Sequence, residues 1–119
     1  MTSSTRLRTL KFLHEFERSI KDDLIHTDAN KLSVNAVYVL NALYQRDGQR
    51  PSDLATAIGM TQTSFTPTID MLERNGLTER RSNETDRRSI LIYLLMDGKR
   101  LQKVIEAALA NAEVRYGGG

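Results

Sequence analysis

The chain has 119 residues, one domain's worth, and 39% of it is apolar; three Phe, four Tyr and no Trp leave Leu, Ile, Val and Ala to build a modest core. No cysteine is present, which excludes disulfides, thiolate nucleophiles, Cys-based metal sites and thiol peroxide sensing. A net charge of +2 and a pI near 9.1 permit a nucleic-acid partner without demanding one. No apolar run approaches the roughly 20 residues of a membrane span. The opening MTSSTRLRTL lacks a secretion signal's hydrophobic segment, so a cytoplasmic protein is expected.

Residues 4–27 read as the first helix. Leu10, Leu13, Phe16, Ile20 and Leu24 recur at steps of three or four and form one apolar stripe. Arg8, Lys11, Arg18 and Lys21 mix with Glu15, Glu17, Asp22 and Asp23 on the other faces, while Leu7, Phe12 and Ile25 widen the apolar surface. The pattern fits a core helix of the monomer, and equally a helix that meets a partner subunit. A polar break over 26–32 follows. Ser33 is placed to cap a helix over 34–45, with Ala36, Val37, Leu40, Leu43 and Tyr44 facing inwards. Asp47-Gly48 ends it. Pro51 then opens a short helix over 51–58, with Leu54, Ala55 and Ile58 inside and Gly59 closing it.

The stretch from Met60 to Arg88 organises the chain. Thr61 or Thr63 caps a helix whose buried face carries Phe65, Ile69 and Leu72. Thr63, Thr66, Pro67, Asp70 and Arg74 share the opposite face, with Gln62 near the tip. Proline is cheap only within about the first turn, which predicts a start near Thr63 or Ser64. Asn75-Gly76 stops the helix. Residues 77–81 and 89–95 read as two strands, joined by the turn-forming Ser82-Asn83-Glu84-Thr85-Asp86. Asp97 is placed to cap a last helix bearing Leu101, Val104, Ile105, Ala108 and Ala112 on one face. There are no internal repeats and no long linker.

Two short helices joined by a tight turn, 51–58 and 63–75, form a helix-turn-helix pattern whose second helix enters a major groove N-terminus first. That end carries Thr61, Gln62, Thr63, Ser64 and Thr66. Hydroxyls and free backbone amides suit phosphate oxygens, Gln pairs with an adenine edge, and a Thr methyl meets a thymine methyl. The plain alternative is that these residues only cap the helix, yet one or two caps do not require five such residues. Arg74 adds a basic contact on the same helix. Between Arg80 and Arg88 four Arg (Arg80, Arg81, Arg87 and Arg88) outnumber Glu84 and Asp86, and arginine at a hairpin tip suits a narrow minor groove. Over 50–100 the charge is nearly balanced, eight basic against seven acidic, so any positive surface must come from folding.

Five short signals recur in order: Leu54-Ala55 with Ile58-Gly59; Asp70-Met71-Leu72-Glu73 with Gly76-Leu77; Glu79-Arg80-Arg81; Asp86-Arg87-Arg88; and Asp97-Gly98-Lys99. In that order and spacing, 32–101 resembles the MarR family of winged-helix transcriptional regulators. The resemblance implies a mainly α fold with a small antiparallel β wing, a winged helix-turn-helix flanked by dimerisation helices. The whole of 1–119 is then one MarR-like domain: an N-terminal dimerisation helix in 1–31, the winged helix-turn-helix in 32–96, and a C-terminal dimerisation helix with its tail in 97–119. It also implies a homodimeric repressor on a pseudo-palindromic operator. Thr61 to Thr66 would approach bases and phosphates, and Arg87 would reach the minor groove. Asp86 and Arg88 resemble the family's wing-stabilising Asp-x-Arg element, and Asp70 is expected to pair with a wing arginine, Arg88 first. Three features depart from the family. Leu95-Met96 stand where Thr then Pro is common, so Asp97 must cap. Pro67 replaces a polar or basic residue. The C-terminal region ends after one helix, which implies a smaller or rearranged dimer contact.

Many members of the family release DNA on binding a small aromatic ligand. Phe12, His14, Tyr38 and Tyr44 are the candidates to line such a site here, although each fits an ordinary core or surface role. No catalytic residues, cofactor or metal are expected. His14 and His26 stand apart from any ligand cluster, the paired acids on the first helix look solvated, and no Gly-rich phosphate loop or nucleophile motif occurs. The rival reading is a winged-helix protein-interaction module without specific DNA binding.

Overall fold

Helix stops at glycine and a start at proline bound the helices in the middle of the chain in the computed structural model, which describes residues 2–86 and 89–117. The order is α1 (Thr2–Leu24), α2 (Val34–Gln45), α3 (Pro51–Ala57), α4 (Gln62–Arg74), β1 (Thr78–Ser82), β2 (Ile90–Leu94), α5 (Met96–Arg100) and α6 (Gln102–Tyr116). This is a mainly helical winged helix-turn-helix with a two-stranded antiparallel wing. No described helix is long and apolar enough to cross a membrane.

The chain divides into two compact units. One comprises Asn35–Gln102. Its buried apolar residues are Ala36, Val37, Val39, Leu40 and Leu43 from α2, Leu54 and Ala55 from α3, Phe65, Ile69 and Leu72 from α4, and Leu77, Ile92 and Leu94 from the wing. Pro51 stands at the N-terminus of α3, where its missing N–H costs nothing. α3 and α4 are joined through Gly59 at φ +72°, a left-handed turn that a side chain disfavours. There the Gly59 N–H donates to the Thr56 carbonyl and the Met60 N–H to the Ala55 carbonyl. Gly76 repeats the device at the end of α4, with the Leu77 N–H donating to the Leu72 carbonyl at 3.0 Å. Both turns thus satisfy carbonyls the helices leave open, and the second delivers the chain directly into β1.

The strands pair Thr78 with Leu94, Arg80 with Ile92 and Ser82 with Ile90. The loop after α2 joins the sheet through Gln49, which exchanges backbone bonds with Ile92 at 3.2 and 2.8 Å. The Asp47 carboxylate accepts from the Leu94 N–H at 2.8 Å. The Gln49 side-chain amide donates to the Ala42 and Arg46 carbonyls, closing the end of α2. α5 lies against the root of the wing at Gly98, where an added Cβ would meet the Leu77 carbonyl oxygen at 2.4 Å.

The other unit comprises Met1–Val34 and Lys103–Gly119. Ile20, Leu24, Ala29, Leu32, Ile105, Ala108 and Ala112 are its buried apolar residues. Asn111 donates to Asp23 at 2.8 Å and Arg115 to the Ser19 hydroxyl at 3.0 Å, tying α6 to α1. The Lys21 ammonium donates to the Leu32 carbonyl at 2.6 Å, fixing the turn after α1.

Several expectations need correction. Of the α1 stripe only Ile20 and Leu24 are buried, and Leu10 and Leu13 are 45% and 46% exposed because, among the described residues of its own unit, none covers the first half of that helix. Tyr44 is 54% exposed rather than inward, and Val39 takes a core position instead. Ile58 is half-buried at the end of α3. Asp97 does not cap: α5 starts at Met96 with Leu95 at the cap position, no side-chain cap bond, and Asp97 paired with Arg100 at 3.0 Å. The last helix is also divided, with Leu101 between α5 and α6.

Candidate nucleic-acid interface

The start of α4 is set by Thr61. Its backbone is extended (φ −76°, ψ 158°), and its side chain accepts a hydrogen bond from the Ser64 N–H at 3.2 Å. The helix therefore begins at Gln62, earlier than the proline suggested, and Pro67 lies beyond its first turn. Pro67 cannot donate to the Thr63 carbonyl, so that acceptor loses its usual helical partner. Phe65, Thr68, Ile69 and Leu72 turn inwards. Thr68 was not anticipated there; its hydroxyl donates to the Ser64 carbonyl at 2.9 Å, which lets a polar residue sit on the buried face. Thr61, Gln62, Thr63, Ser64, Thr66, Pro67 and Arg74 are exposed. The exposed end of α4 thus presents hydroxyls, one amide and first-turn N–H groups, at the helix end where the backbone dipole favours anions.

Strand alternation separates the two neighbouring arginines of β1. Arg80 forks onto α4, one terminal nitrogen donating to Asp70 at 2.6 Å and the other to Glu73. The hydrogen bond to Asp70 raises the Arg80 pKa above its ordinary value; partial burial opposes this, and the charges of Glu73 and Asp70 add to it. Arg81 turns to the other face, pairs with Glu79 at 2.8 Å and lies 4.4 Å from the centre of the Tyr93 ring. The hydrogen bond from Arg81 also holds the Glu79 carboxyl below its usual range. Asp70 is thus bound to Arg80; the pairing expected with Arg88, like the placement of Arg87 and Arg88, lies outside the described residues. Nearer the wing tip, the Ser89 N–H donates to the Asp86 carbonyl at 2.9 Å and its hydroxyl to the Asp86 carboxylate at 3.1 Å. Asn83 accepts from the Thr85 N–H and hydroxyl, a turn built on an Asn side chain.

Sequence reasoning missed Glu73, Glu79 and Tyr93. The signal for Glu73 was present, since it stands three residues after Asp70 and so on the same side of α4. Tyr93 needed the strand register. Of the four aromatic candidates, Phe12 and His14 belong to one compact unit and Tyr38 and Tyr44 to the other. Phe12 lines an open groove of about 440 Å³ with Thr5, Arg8 and Thr9, and its ring centre lies 5.8 Å from that of Phe16. His14 is exposed on α1; Tyr38 is half-buried and Tyr44 exposed on α2.

The family model described as "MarR family" matches residues 32–90, which span α2 to the start of β2. The chain belongs to the MarR family. Solved structures share the fold of this chain. The chain covers 98% of its own length and 82% of a putative MarR-like transcription regulator from Bacillus cereus, with a TM-score of 0.81 at 17% identity. For FabT from Streptococcus pneumoniae, solved in complex with DNA, the figures are 97%, 82%, 0.75 and 19%. At such identities the likeness is one of fold. Among curated proteins, the uncharacterized HTH-type transcriptional regulator YfiV from Bacillus subtilis is 30% identical over 70 residues, 59% of this chain. The match spans 44% of YfiV, less than half the length of that relative.

Proposed function

We propose that the chain is a MarR-family transcriptional regulator that binds double-stranded DNA sequence-specifically, acting as a homodimeric repressor on a pseudo-palindromic operator in the cytoplasm. The observation that carries this reading is the exposed, hydroxyl-rich N-terminus of α4 from Thr61 to Thr66. It belongs to a helix-turn-helix that Gly59 turns tightly, and the same helix is clasped to the wing through Arg80. Thr61, Gln62, Thr63, Ser64, Thr66 and Arg74 are assigned to the major groove and its phosphates. Arg81, Arg87 and Arg88 are assigned to the backbone and the minor groove, with Asp70 and Asp86 holding the wing. The reading assigns no catalytic step, cofactor or metal.

The dimer is supported by the uncovered half of α1, where Leu7, Leu10, Phe12 and Leu13 are all exposed. Such a cluster on one helix marks an interaction surface, and a second copy of the same helix supplies a matching one. Release of DNA by a small aromatic ligand belongs to the same proposal, with Phe12, His14, Tyr38 and Tyr44 as the residues to vary.

Selection of bound sequences from a random duplex pool tests the reading. A two-fold symmetric site, with half-sites one helical turn or a multiple of it apart, is the expected outcome. Recovery of no preferred sequence, with binding indifferent to salt, would refute it in favour of a protein-interaction module.

A further inference from the structure

Resting on that reading, we propose that Arg80 is a positioning residue that fixes the wing to the recognition helix, and not a contact to DNA. Both terminal guanidinium nitrogens are already committed, one to Asp70 and one to Glu73. The two carboxylates stand three residues apart on one side of α4, the spacing that brings side chains on adjacent turns together. A planar fork matches such a pair in a way that a single ammonium does not. Beneath the clasp the backbone leaves little freedom: Arg80 lies opposite buried Ile92 in the ladder, and only Asn75 to Leu77 join α4 to β1. Arg80 therefore decides the direction in which β1 leaves the helix, and with it the position of the wing tip. It also neutralises one of two acidic charges that α4 would otherwise present unpaired beside a polyanion. A phosphate beyond reach of the clasped guanidinium could be met only by drawing Arg80 off its carboxylates, which would expose two negative charges beside the polyanion. Arg81, on the opposite side of the strand, is held by one carboxylate and a ring and is the freer of the two.

The test uses the full chain in four forms beside the wild type: Arg80→Ala, Arg80→Lys, Asp70→Asn with Glu73→Gln, and Arg80→Ala combined with those two. Affinity for a duplex selected from a random pool is measured across a range of salt, and amide exchange over Thr78–Ser82 and Ile90–Leu94 is measured without DNA. Arg80→Ala is expected to weaken binding about tenfold or more in the wild-type background, and by less than about twofold once both carboxylates are neutralised, because coupled residues are not additive. The salt slope should stay unchanged, since no phosphate contact is lost. Wing amides should exchange faster in Arg80→Ala, and Arg80→Lys should restore neither protection nor affinity in full.

A slope that falls by about one unit, or an equal loss in both backgrounds, would show that Arg80 touches DNA and overturn the proposal. Full rescue by Arg80→Lys would overturn it too, as charge alone would then suffice. Failure of the wild type to bind any duplex would refute the DNA-binding reading instead, while exchange in the free protein would still decide the clasp.

Discussion

Gly98→Ala offers the sharpest check on how α5 seats against the wing. In an exposed helix this change would help, because glycine costs about 1 kcal/mol relative to alanine. Here the new Cβ would lie 2.4 Å from the Leu77 carbonyl oxygen and 3.0 Å from a Leu94 methyl. The obstacle is backbone, and the same Leu77 oxygen accepts the Leu95 N–H at 2.9 Å. Relieving the clash therefore moves α5 away or breaks that bond. Overpacking costs about 1–3 kcal/mol and a lost hydrogen bond about 1, so after the propensity gain the net loss is about 1–3 kcal/mol. For a chain of this size that corresponds to a fall in Tm of roughly 4–12 °C. Thermal and urea unfolding followed by circular dichroism, at one fixed protein concentration, would read it. An unchanged or raised Tm would refute the argument, since it would mean that helix propensity outweighs the contact.

Three further outcomes are expected. Thr61→Ala removes the cap on α4 and should cost about 1 kcal/mol of stability in the same unfolding assays, with Thr61→Ser retaining most of it. Pro67→Ala restores an N–H aimed at the Thr63 carbonyl and should stabilise the protein by about 2 kcal/mol; no gain would show that the helix has already adapted to the ring. Leu10→Glu with Leu13→Glu places charges on the uncovered half of α1. Sedimentation is expected to report a dimer for the unaltered chain and a monomer for the variant, with helical content preserved; an unshifted dimer would move the interface elsewhere.

The fold was legible wherever local chemistry decides. Gly59 and Gly76 stop their helices because the chain must turn left-handed there, and Pro51 starts one because its missing N–H is free of cost. The 3.6-residue period placed Phe65, Ile69 and Leu72 correctly inside. What failed depended on information that is not local. The periodicity of α1 is real, but burial of Leu10 and Leu13 needs a facing surface, and the described residues of their unit leave both exposed. Arg80 and Arg81 looked equivalent as neighbours in a basic run, and only the strand's alternation sends one to the acids of α4 and the other to Tyr93. Asp97 looked like a cap because its residue type favours one, yet α5 starts at Met96, directly after Leu95, whose N–H is held by the Leu77 carbonyl. At the start of α4 the cap at Thr61 outweighs the cost of Pro67 inside the helix, so the helix begins at Gln62 and not after it.

The stitching of the α2–α3 loop to β2 has a further consequence, for solubility. A two-stranded wing has two open edges, and an open edge is a template on which another chain can add a strand. On β2 the Ile92 N–H is taken by the Gln49 carbonyl and the Leu94 N–H by the Asp47 carboxylate. That edge has few vacancies for a foreign strand near its root. Two copies meeting at this edge would find fewer free groups through which to join their ladders, and Asp47→Ala would reopen one rung of it.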